Sequence, residues 1–343
     1  MSTYKNIQGN LIPVLSSDPS NLEFGDIWYN STSGSLKAYQ YVSVWSTGAN
    51  YPQSVAGLGG AGTQTAGLGF GGQLNVPPNI ARPRNLTVKY DGTSYSTTGS
   101  LGTARRLIGG FGTQTAAVAH GGTTGPGLIS AATENFTGTS WAASGNLPYG
   151  NPISNQRSYG TQTAGVMLGT LGPSPTTNPL YGITTLNYNG SSWSTGVSLP
   201  ANFGPNSPRN GFGTQTAGLA INQGSNQLGT SVEFNGSTWG NTAYANAIHT
   251  EGHTSGTQTA GLLATGSQGG RSYTLIASET YDGTTWSNAG NCNTGRSQMG
   301  SAGASPSSLS LMMAGSSSNS TNGGSTATEE WEQAIKTVTF TSS

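Results

Sequence analysis

Residues 109–120 read Gly-Gly-Phe-Gly-Thr-Gln-Thr-Ala-Ala-Val-Ala-His, and the pentapeptide at the centre of this stretch recurs along the chain. Copies of Gly-Thr-Gln-Thr-Ala, spaced 43 to 53 residues apart, begin at Gly62, Gly112, Gly160, Gly213 and Gly256. A degenerate copy without the Thr-Gln-Thr begins at Gly303. A period of this length is typical of propeller blades, which contain four short strands each.

A second pattern lies between the copies. It reads aromatic, polar, Gly, two small polar residues, and then Trp or Tyr, and the second aromatic always stands five positions after the first. The instances are Tyr90 to Tyr95, Phe136 to Trp141, Tyr188 to Trp193, Phe234 to Trp239 and Tyr281 to Trp286. Because two independent patterns keep the same register, we interpret the chain as a repeat protein.

Each repeat divides into four predicted strands. In one repeat these are 107–111, 116–120, 132–136 and 140–144, and glycines in the turns supply the positive φ of tight hairpins. The Gly- and Ala-rich first strands suit a crowded propeller axis, and the large aromatic side chains suit the wider space between outer strands. Six hairpins predict six blades, with seven as the alternative. The last blade is expected to use 328–331 as its third strand and 337–341 as its fourth.

The N-terminal residues form a different pattern. Residues 25–45 predict an amphipathic hairpin with a further strand ending at Trp45. We therefore expect two parts: an N-terminal β-hairpin segment, 1–48, that serves attachment or ring closure, and a propeller, 49–343. The strands ending at Trp45 either belong to a seventh blade or form a small separate sheet.

Composition excludes several classes of protein. The 343 residues include 54 glycines, 12 basic and 12 acidic side chains, and only 33% are hydrophobic. A net charge of zero argues against nucleic-acid binding. No apolar run suits a membrane span, and the first residues lack a signal-peptide pattern. One cysteine, Cys292, excludes an internal disulfide framework.

Paired glycines follow two of the predicted second strands, at Gly71-Gly72 and Gly121-Gly122. With the outer-strand aromatics, they make the chain resemble the kelch family of β-propellers. The Thr-Gln-Thr form is similar to kelch-like repeats in structural proteins of marine phages, especially those that infect cyanobacteria. The segment Gly-Asp-Ile-Trp-Tyr-Asn at 25–30 resembles a hairpin of phage tail-fibre proteins.

The titratable residues do not predict a catalytic, cofactor or metal site. Glu134, Glu233, Glu279 and Glu330 recur just before the aromatic of the second pattern, which favours a structural role. His249 and His253 are expected in a solvated polar loop, and Cys292 as a surface thiol or a packed side chain. We therefore expect no enzyme activity and no cofactor.

Two sets of residues remain as candidates for binding. The repeated turn predicts a ring of glutamines: Gln64, Gln114, Gln162, Gln215 and Gln258. These side chains either dock a ligand or bond to backbone groups and so close the propeller ring. We favour the second, structural role. The irregular loops before the first strands carry arginines and tyrosines that could contact sugars or pack between blades: Arg106, Tyr149, Arg157, Arg209, Tyr244 and Arg296.

The resemblance implies a non-enzymatic structural protein of a phage virion, made in the host cytoplasm. The expected role is a tail-fibre or appendage component that binds a host-surface glycan or receptor, or other virion proteins, and that is multimeric in the particle. A capsid-decorating protein and a carbohydrate-active propeller enzyme are the alternatives. Neither nucleic acid nor membrane insertion is expected.

Overall fold

The computed structural model describes residues 12–76, 80–148, 158–169, 182–203, 209–223, 229–268, 273–317 and 324–340. In these ranges the protein is all-β, with one short 3₁₀ turn at Ala201–Phe203. The strands in chain order are β1 (Val14–Leu15), β2 (Ile27–Asn30), β3 (Ser35–Thr47), β4 (Ala56–Thr63), β5 (Ala66–Val76), β6 (Ile80–Pro83), β7 (Thr87–Tyr90), β8 (Tyr95–Thr98), β9 (Gly109–Gly112), β10 (Ala117–His120), β11 (Thr123–Gly125), β12 (Leu128–Ile129), β13 (Thr133–Phe136), β14 (Trp141–Ser144), β15 (Ser158–Thr161), β16 (Ala164–Met167), β17 (Leu186–Tyr188), β18 (Trp193–Thr195), β19 (Arg209–Gly213), β20 (Gly218–Asn222), β21 (Ser231–Phe234), β22 (Trp239–Asn241), β23 (His253–Thr257), β24 (Ala260–Ala264), β25 (Ser267–Gln268), β26 (Tyr273–Thr274), β27 (Ser278–Tyr281), β28 (Trp286–Ala289), β29 (Gly300–Ser301), β30 (Leu309–Met313) and β31 (Thr328–Phe340).

The chain divides into two compact units. The N-terminal unit comprises residues 1–43 together with 332–343, and the propeller unit comprises residues 44–331. The sequence predicts a boundary at 48/49 and assigns the C-terminal residues to the propeller. The structure instead places the boundary a few residues earlier and groups residues 332–343 with the N-terminal unit.

In the N-terminal unit, β2 and β3 form the predicted hairpin. Its turn is stabilised by Asn30, whose side-chain oxygen accepts backbone N–H bonds from Thr32 and Ser33 at 3.1 and 3.0 Å. Strand β1 lies parallel to the outer edge of β2. The Asp18 carboxylate accepts bonds from Trp28 Nε1 at 3.0 Å, Asn30 Nδ2 at 2.7 Å and Lys37 Nζ at 2.7 Å, so it fixes the preceding loop over one face of the hairpin.

The propeller unit consists of small antiparallel sheets. In the described residues, four sheets have four consecutive repeat strands, ordered β9-β10-β13-β14, β15-β16-β17-β18, β19-β20-β21-β22 and β23-β24-β27-β28. A fifth is ordered β4-β5-β7-β8, with β6 paired to β5, and a further sheet contains β29 and β30. The pairs β11–β12 and β25–β26 are small ribbons. The predicted strands of the repeat at 107–144 each lie within about two residues of β9, β10, β13 and β14.

The first strands of the sheets contact one another in a cyclic order. The sequence of neighbours is β4, β9, β15, β19, β23 and β29, and β29 contacts β4 again. This order makes the fold propeller-like, since each sheet packs its first strand against the next one around a common centre.

Residues 337–341 do not form the predicted fourth strand of the last repeat. Strand β31 continues without a turn from Thr328 to Phe340, and the position beside its first residues is taken by the end of β3. Gly48 N–H donates to Thr328 O at 3.0 Å, and Ser46 Oγ donates to Glu330 O at 3.4 Å. The residues around Trp45 therefore complete the sheet that begins with β29.

Glycines and aromatic side chains alternate at the junctions between sheets. Phe111 lies where a Cβ on Gly165 of the next sheet would be, and Phe212 has the same relation to Gly261. Each aromatic precedes the glycine of a Gly-Thr-Gln-Thr copy, and each facing glycine follows the next copy. A side chain at these glycines would overlap a ring, so glycine is required for packing.

Tryptophans of the outer strands join several sheets to the preceding one. Trp141 Nε1 donates to Thr87 Oγ1 and Trp193 Nε1 donates to Thr133 Oγ1, both at 2.9 Å. Trp45 Nε1 makes the equivalent bond, at 2.9 Å, to the hydroxyl of Ser278 in β27. Because Trp45 occupies the tryptophan position of the repeats, it confirms that the end of β3 serves as an outer strand.

Candidate functional site

The connections of the propeller unit lie at two opposite ends of the sheets. The turns between first and second strands, and between third and fourth strands, lie at one end, which we call the glutamine face. The connections between second and third strands, and those leading into each first strand, lie at the other end, which we call the loop face. Isolated backbone bridges join the two kinds of connection on the loop face, pairing Arg106 with Thr123 and Thr250 with Ser267.

The repeated glutamines all make the same pair of contacts. In each, Nε2 donates to two carbonyls of the preceding sheet, one near the start of its second strand and one at the recurring aromatic. The acceptors are Ser310 and Trp331 for Gln64, Gly67 and Tyr90 for Gln114, Ala117 and Phe136 for Gln162, Gly165 and Tyr188 for Gln215, and Gly218 and Phe234 for Gln258, at 2.7–3.4 Å. The amide donors are thus used between sheets, in agreement with the structural interpretation of this ring.

Buried charged pairs hold three of the loop-face connections. Arg105 Nη2 lies 2.6 Å from Glu134 Oε1, and Arg296 Nη2 lies 2.8 Å from Glu329 Oε1. Each arginine also donates to two backbone carbonyls, those of Gly121 and Ala132 in the first case. Because the guanidinium groups are completely buried, they are unavailable to a ligand.

His249 takes the arginine position in a third repeat. Its Nε2 lies 3.0 Å from Glu279 Oε1, and its Nδ1 faces Thr265 O. Arg105, His249 and Arg296 all stand seven residues before the glycine of their Gly-Thr-Gln-Thr copy or of its degenerate form, and the three glutamates stand two residues before the aromatic. This paired spacing is the sequence signal that reveals the buried pairs.

The glutamates also hold the incoming loops. Glu134 accepts a bond from the Gly102 N–H at 2.7 Å, and Glu279 accepts bonds from the Asn246 and Ala247 N–H groups at 2.6 and 2.8 Å. A carboxylate that accepts backbone N–H groups and a cation is fully satisfied when ionised. The loop-face connections are therefore fixed by carboxylates that belong to the sheets.

Arg296 corrects one sequence expectation. It was grouped with ligand-contact candidates, yet it is buried and bonded to Glu329. Arg106, in contrast, is half-buried and donates to Gln73 Oε1 at 2.7 Å. Tyr244 is 61% exposed on the loop face. Of the other loop candidates, only the backbone of Arg209 is described, as the first residue of β19, and Tyr149 and Arg157 lie outside the described residues.

The histidines correct a second expectation. His249 and His253 do not lie in a solvated loop, because both side chains are completely buried. His120 Nε2 lies 3.0 Å from the Ser158 hydroxyl and His253 Nε2 lies 2.6 Å from that of Ser310. Burial lowers the pKa of each of these two rings to about 3, with a smaller contribution from a nearby arginine. They are neutral packing groups between neighbouring sheets.

Cys292 is a packed side chain and not a surface thiol. It is 3% exposed, and burial raises its pKa to about 12. A thiol in this environment is protonated and weakly nucleophilic.

Large side chains are also exposed on the loop face in the connections between second and third strands. Leu128 and Ile129 project from the ribbon β11–β12, and Tyr273, 72% exposed, lies in the ribbon β25–β26. Together with Tyr244, they give this face aromatic and aliphatic contact points on rigid supports. The two ribbons are additions to the four-strand repeat, so the repeat pattern does not predict their strands.

Across the described ranges, no three His, Cys, Asp or Glu side chains are grouped as a metal ion would require. In the same residues, no helix has the length and hydropathy needed to cross a membrane.

The fold defines a β-propeller-like protein, and a comparison with solved structures supports this class. One similar structure, titled "Structure of YjhT", superimposes with a TM-score of 0.62 over 84% of this chain and 99% of that chain, at 11% sequence identity. At this identity the similarity concerns the fold alone. No family model and no curated protein matches the sequence.

Proposed function

We propose that this chain is a non-enzymatic structural protein of a phage virion, in a tail fibre or similar appendage, and that its loop face binds a glycan of the host surface. The virion assignment rests on the resemblance of the repeats and of the N-terminal hairpin to phage proteins. The glycan assignment rests on the exposed side chains of the loop face.

The observation that carries glycan binding is the exposure of Tyr244 and Tyr273 on connections whose bases are fixed. Tyrosine rings stack on the apolar faces of sugars, and their hydroxyls bond to sugar hydroxyls, at small cost in side-chain entropy. The amides around Tyr244 are held by Glu279, so little ordering is required on binding. The low charge of the chain favours a neutral saccharide over a strongly ionic ligand.

We also infer that the propeller has six blades and that the N-terminal residues close the ring. Six sheets in cyclic contact support this number, and residues 44–47 act as the outer strand of the blade that contains β29 and β30. Closure by strands from both ends of the chain removes exposed sheet edges. A rigid closed ring is a suitable support for multivalent display on a particle.

Glycan binding is tested on a glycan array and on host cells with the soluble, multimerised full chain. We expect binding that Tyr244→Ala and Tyr273→Ala each weaken about tenfold, the loss of one stacking contact. Tyr41→Ala is the matched control, because Tyr41 is 59% exposed but lies in the N-terminal unit. Absence of binding in both assays, or equal loss with the control, contradicts the glycan assignment.

The virion assignment is tested separately by immunogold electron microscopy of intact particles with an antibody to the propeller. Label on a tail or appendage is expected. Label on the capsid would favour the decoration alternative, and the absence of label from purified particles would contradict a virion role.

A further inference from the structure

The N-terminal unit exposes far more apolar surface than its size explains. Seven of the fifteen strongly exposed large apolar side chains belong to it, although it contains only about one-seventh of the described residues. Scattered single residues of this kind are normal on a soluble protein, but a contiguous group indicates an interaction surface.

Strand register places several of these side chains on one face of the sheet. Val14 pairs with Tyr29, and Tyr29 pairs with Leu36, so these three form a row across β1, β2 and β3. Ile27 pairs with Ala38 in the next row on the same face. Val14 is 67%, Ile27 46% and Tyr29 39% exposed. We call this surface the open face.

The opposite face of the same strands is covered. There, Trp28 is 1% exposed and pairs with Lys37, and the loop bearing Asp18 bonds to both. An antiparallel hairpin normally buries its apolar side and exposes its polar side. Here both sides carry apolar residues, and among the described residues the open face stays exposed at its large side chains, although its small Ala38 is 4% exposed.

We propose that the open face packs against the open face of a second copy of this chain, forming a homodimer. Self-packing fits the composition of the surface. None of its five residues is charged, so two identical faces meet without like-charge repulsion, which otherwise opposes association of identical surfaces. Two such sheets pack face to face at about 10 Å with interdigitated side chains.

The exposed apolar area of these residues indicates how large the dimer interface can be. Side chains of this size present roughly 150–250 Å² when fully exposed, so the measured exposures leave roughly 250–300 Å² on Val14, Ile27 and Tyr29. Two copies would remove about twice that area from these residues alone. Specific interfaces bury about 1,000 Å² or more, and the remainder must come from flanking residues such as Leu36 and Ile12, which is 49% exposed. A small interface of this kind is typical of weak association, and we expect a dissociation constant in the micromolar range.

The test is sedimentation velocity of the full chain from about 1 to 200 µM, a range that brackets the expected constant. The wild type should shift from monomer to dimer with concentration. Ile27→Lys should weaken the dimer at least about tenfold, because it places a charge in the apolar contact. Val14→Lys, at the sheet edge, is a second variant with less risk to the hairpin itself.

Tyr41→Lys provides the matched control. Tyr41 is 59% exposed in the same unit, and alternation along β3 places it with Lys37 on the opposite face. Each variant is first compared with the wild type by circular dichroism and thermal unfolding. A dimer weakened by Ile27→Lys and Val14→Lys but not by Tyr41→Lys supports the proposal. A wild type that stays monomeric, a dimer unaffected by the first two variants, or equal loss with the control overturns it. None of these results depends on whether the loop face binds glycans.

Discussion

Removal of the Glu134 carboxylate tests whether the buried charged pairs support the propeller. In Glu134→Val, the guanidinium of Arg105 remains completely buried and loses the carboxylate that lies 2.6 Å away. An uncompensated buried charge costs about 3–5 kcal/mol. For a unit of this size, such a loss lowers the melting temperature by on the order of 10 °C.

The first repeat supplies the compensating variant. At the two equivalent positions it has Val55 and Val88, which are 1% and 0% exposed. Arg105→Val combined with Glu134→Val should therefore reproduce an apolar pair that this fold already contains. The single changes should cost about 6–10 kcal/mol if they are summed, whereas the double variant leaves no buried charge. We expect its cost to be lower than that sum by at least about 2 kcal/mol.

The assay is chemical denaturation followed by tryptophan fluorescence, with Glu233→Val as control. Glu233 is a half-buried glutamate that accepts one bond from the Tyr281 hydroxyl at 2.7 Å, so its loss should cost only about 1 kcal/mol. The reasoning fails if Glu134→Val costs no more than this control. It also fails if the double variant costs as much as the two single changes added together.

Three further predictions concern contacts between sheets. Gln162→Leu leaves two carbonyls of the preceding sheet without their donor and should destabilise by about 1–3 kcal/mol in the same denaturation assay; an unchanged midpoint would contradict the bridging role. Gly165→Ala should cost about 1–3 kcal/mol because its methyl group overlaps the Phe111 ring, and Phe111→Leu should recover part of that loss; a neutral Gly165→Ala would show that the junction has space. The pKa values of His120 and His253 in the folded protein are lowered to about 3, so below about pH 6.5 these histidines bind protons only in the unfolded chain. The free energy of unfolding therefore falls as the pH drops, by about 2 kcal/mol per histidine between pH 7 and pH 5. His120→Gln should remove that part of the pH dependence, measured by denaturation at the two pH values, and an unaltered pH dependence would refute the assignment.

The repeat pattern predicts the strands because its two signals fall on structurally equivalent positions. A tight turn requires the glycine, and the space between outer strands requires the aromatic residues, so local chemistry determines both. The same reasoning explains the contacts of Gln114 and its equivalents. An amide at a fixed turn position meets the same backbone carbonyls in every repeat.

The arginines show why repetition must be counted residue by residue. Arg106, Arg157, Arg209 and Arg296 all end loops before first strands, but they stand six, three, four and seven residues before their glycines. Only Arg296 shares its offset with Arg105, and only these two also have a glutamate two residues before the aromatic. Grouping by loop therefore combines the buried Arg296 with the half-buried Arg106.

The error at the end of the chain has a different cause. Residues 337–341 have the composition of a strand, and the described residues 337–340 are the end of β31. The outer strand of the last sheet is the strand that pairs with the edge of residues 328–331. The end of β3, about 280 positions away in sequence, occupies that edge. A local pattern contains no information about which of two suitable strands pairs with a distant one.

The buried pairs and the loop face have a common physical basis. A connection long enough to present an exposed tyrosine has many backbone groups that the sheet does not bond. If it were flexible in water, it would lose conformational entropy when a ligand bound. Glu279 satisfies two of those groups beside Tyr244 from within the sheet, and His249 Nε2 lies 3.0 Å from its carboxylate. The buried pairs therefore lie beneath the loops, where they determine how rigidly the exposed residues are presented.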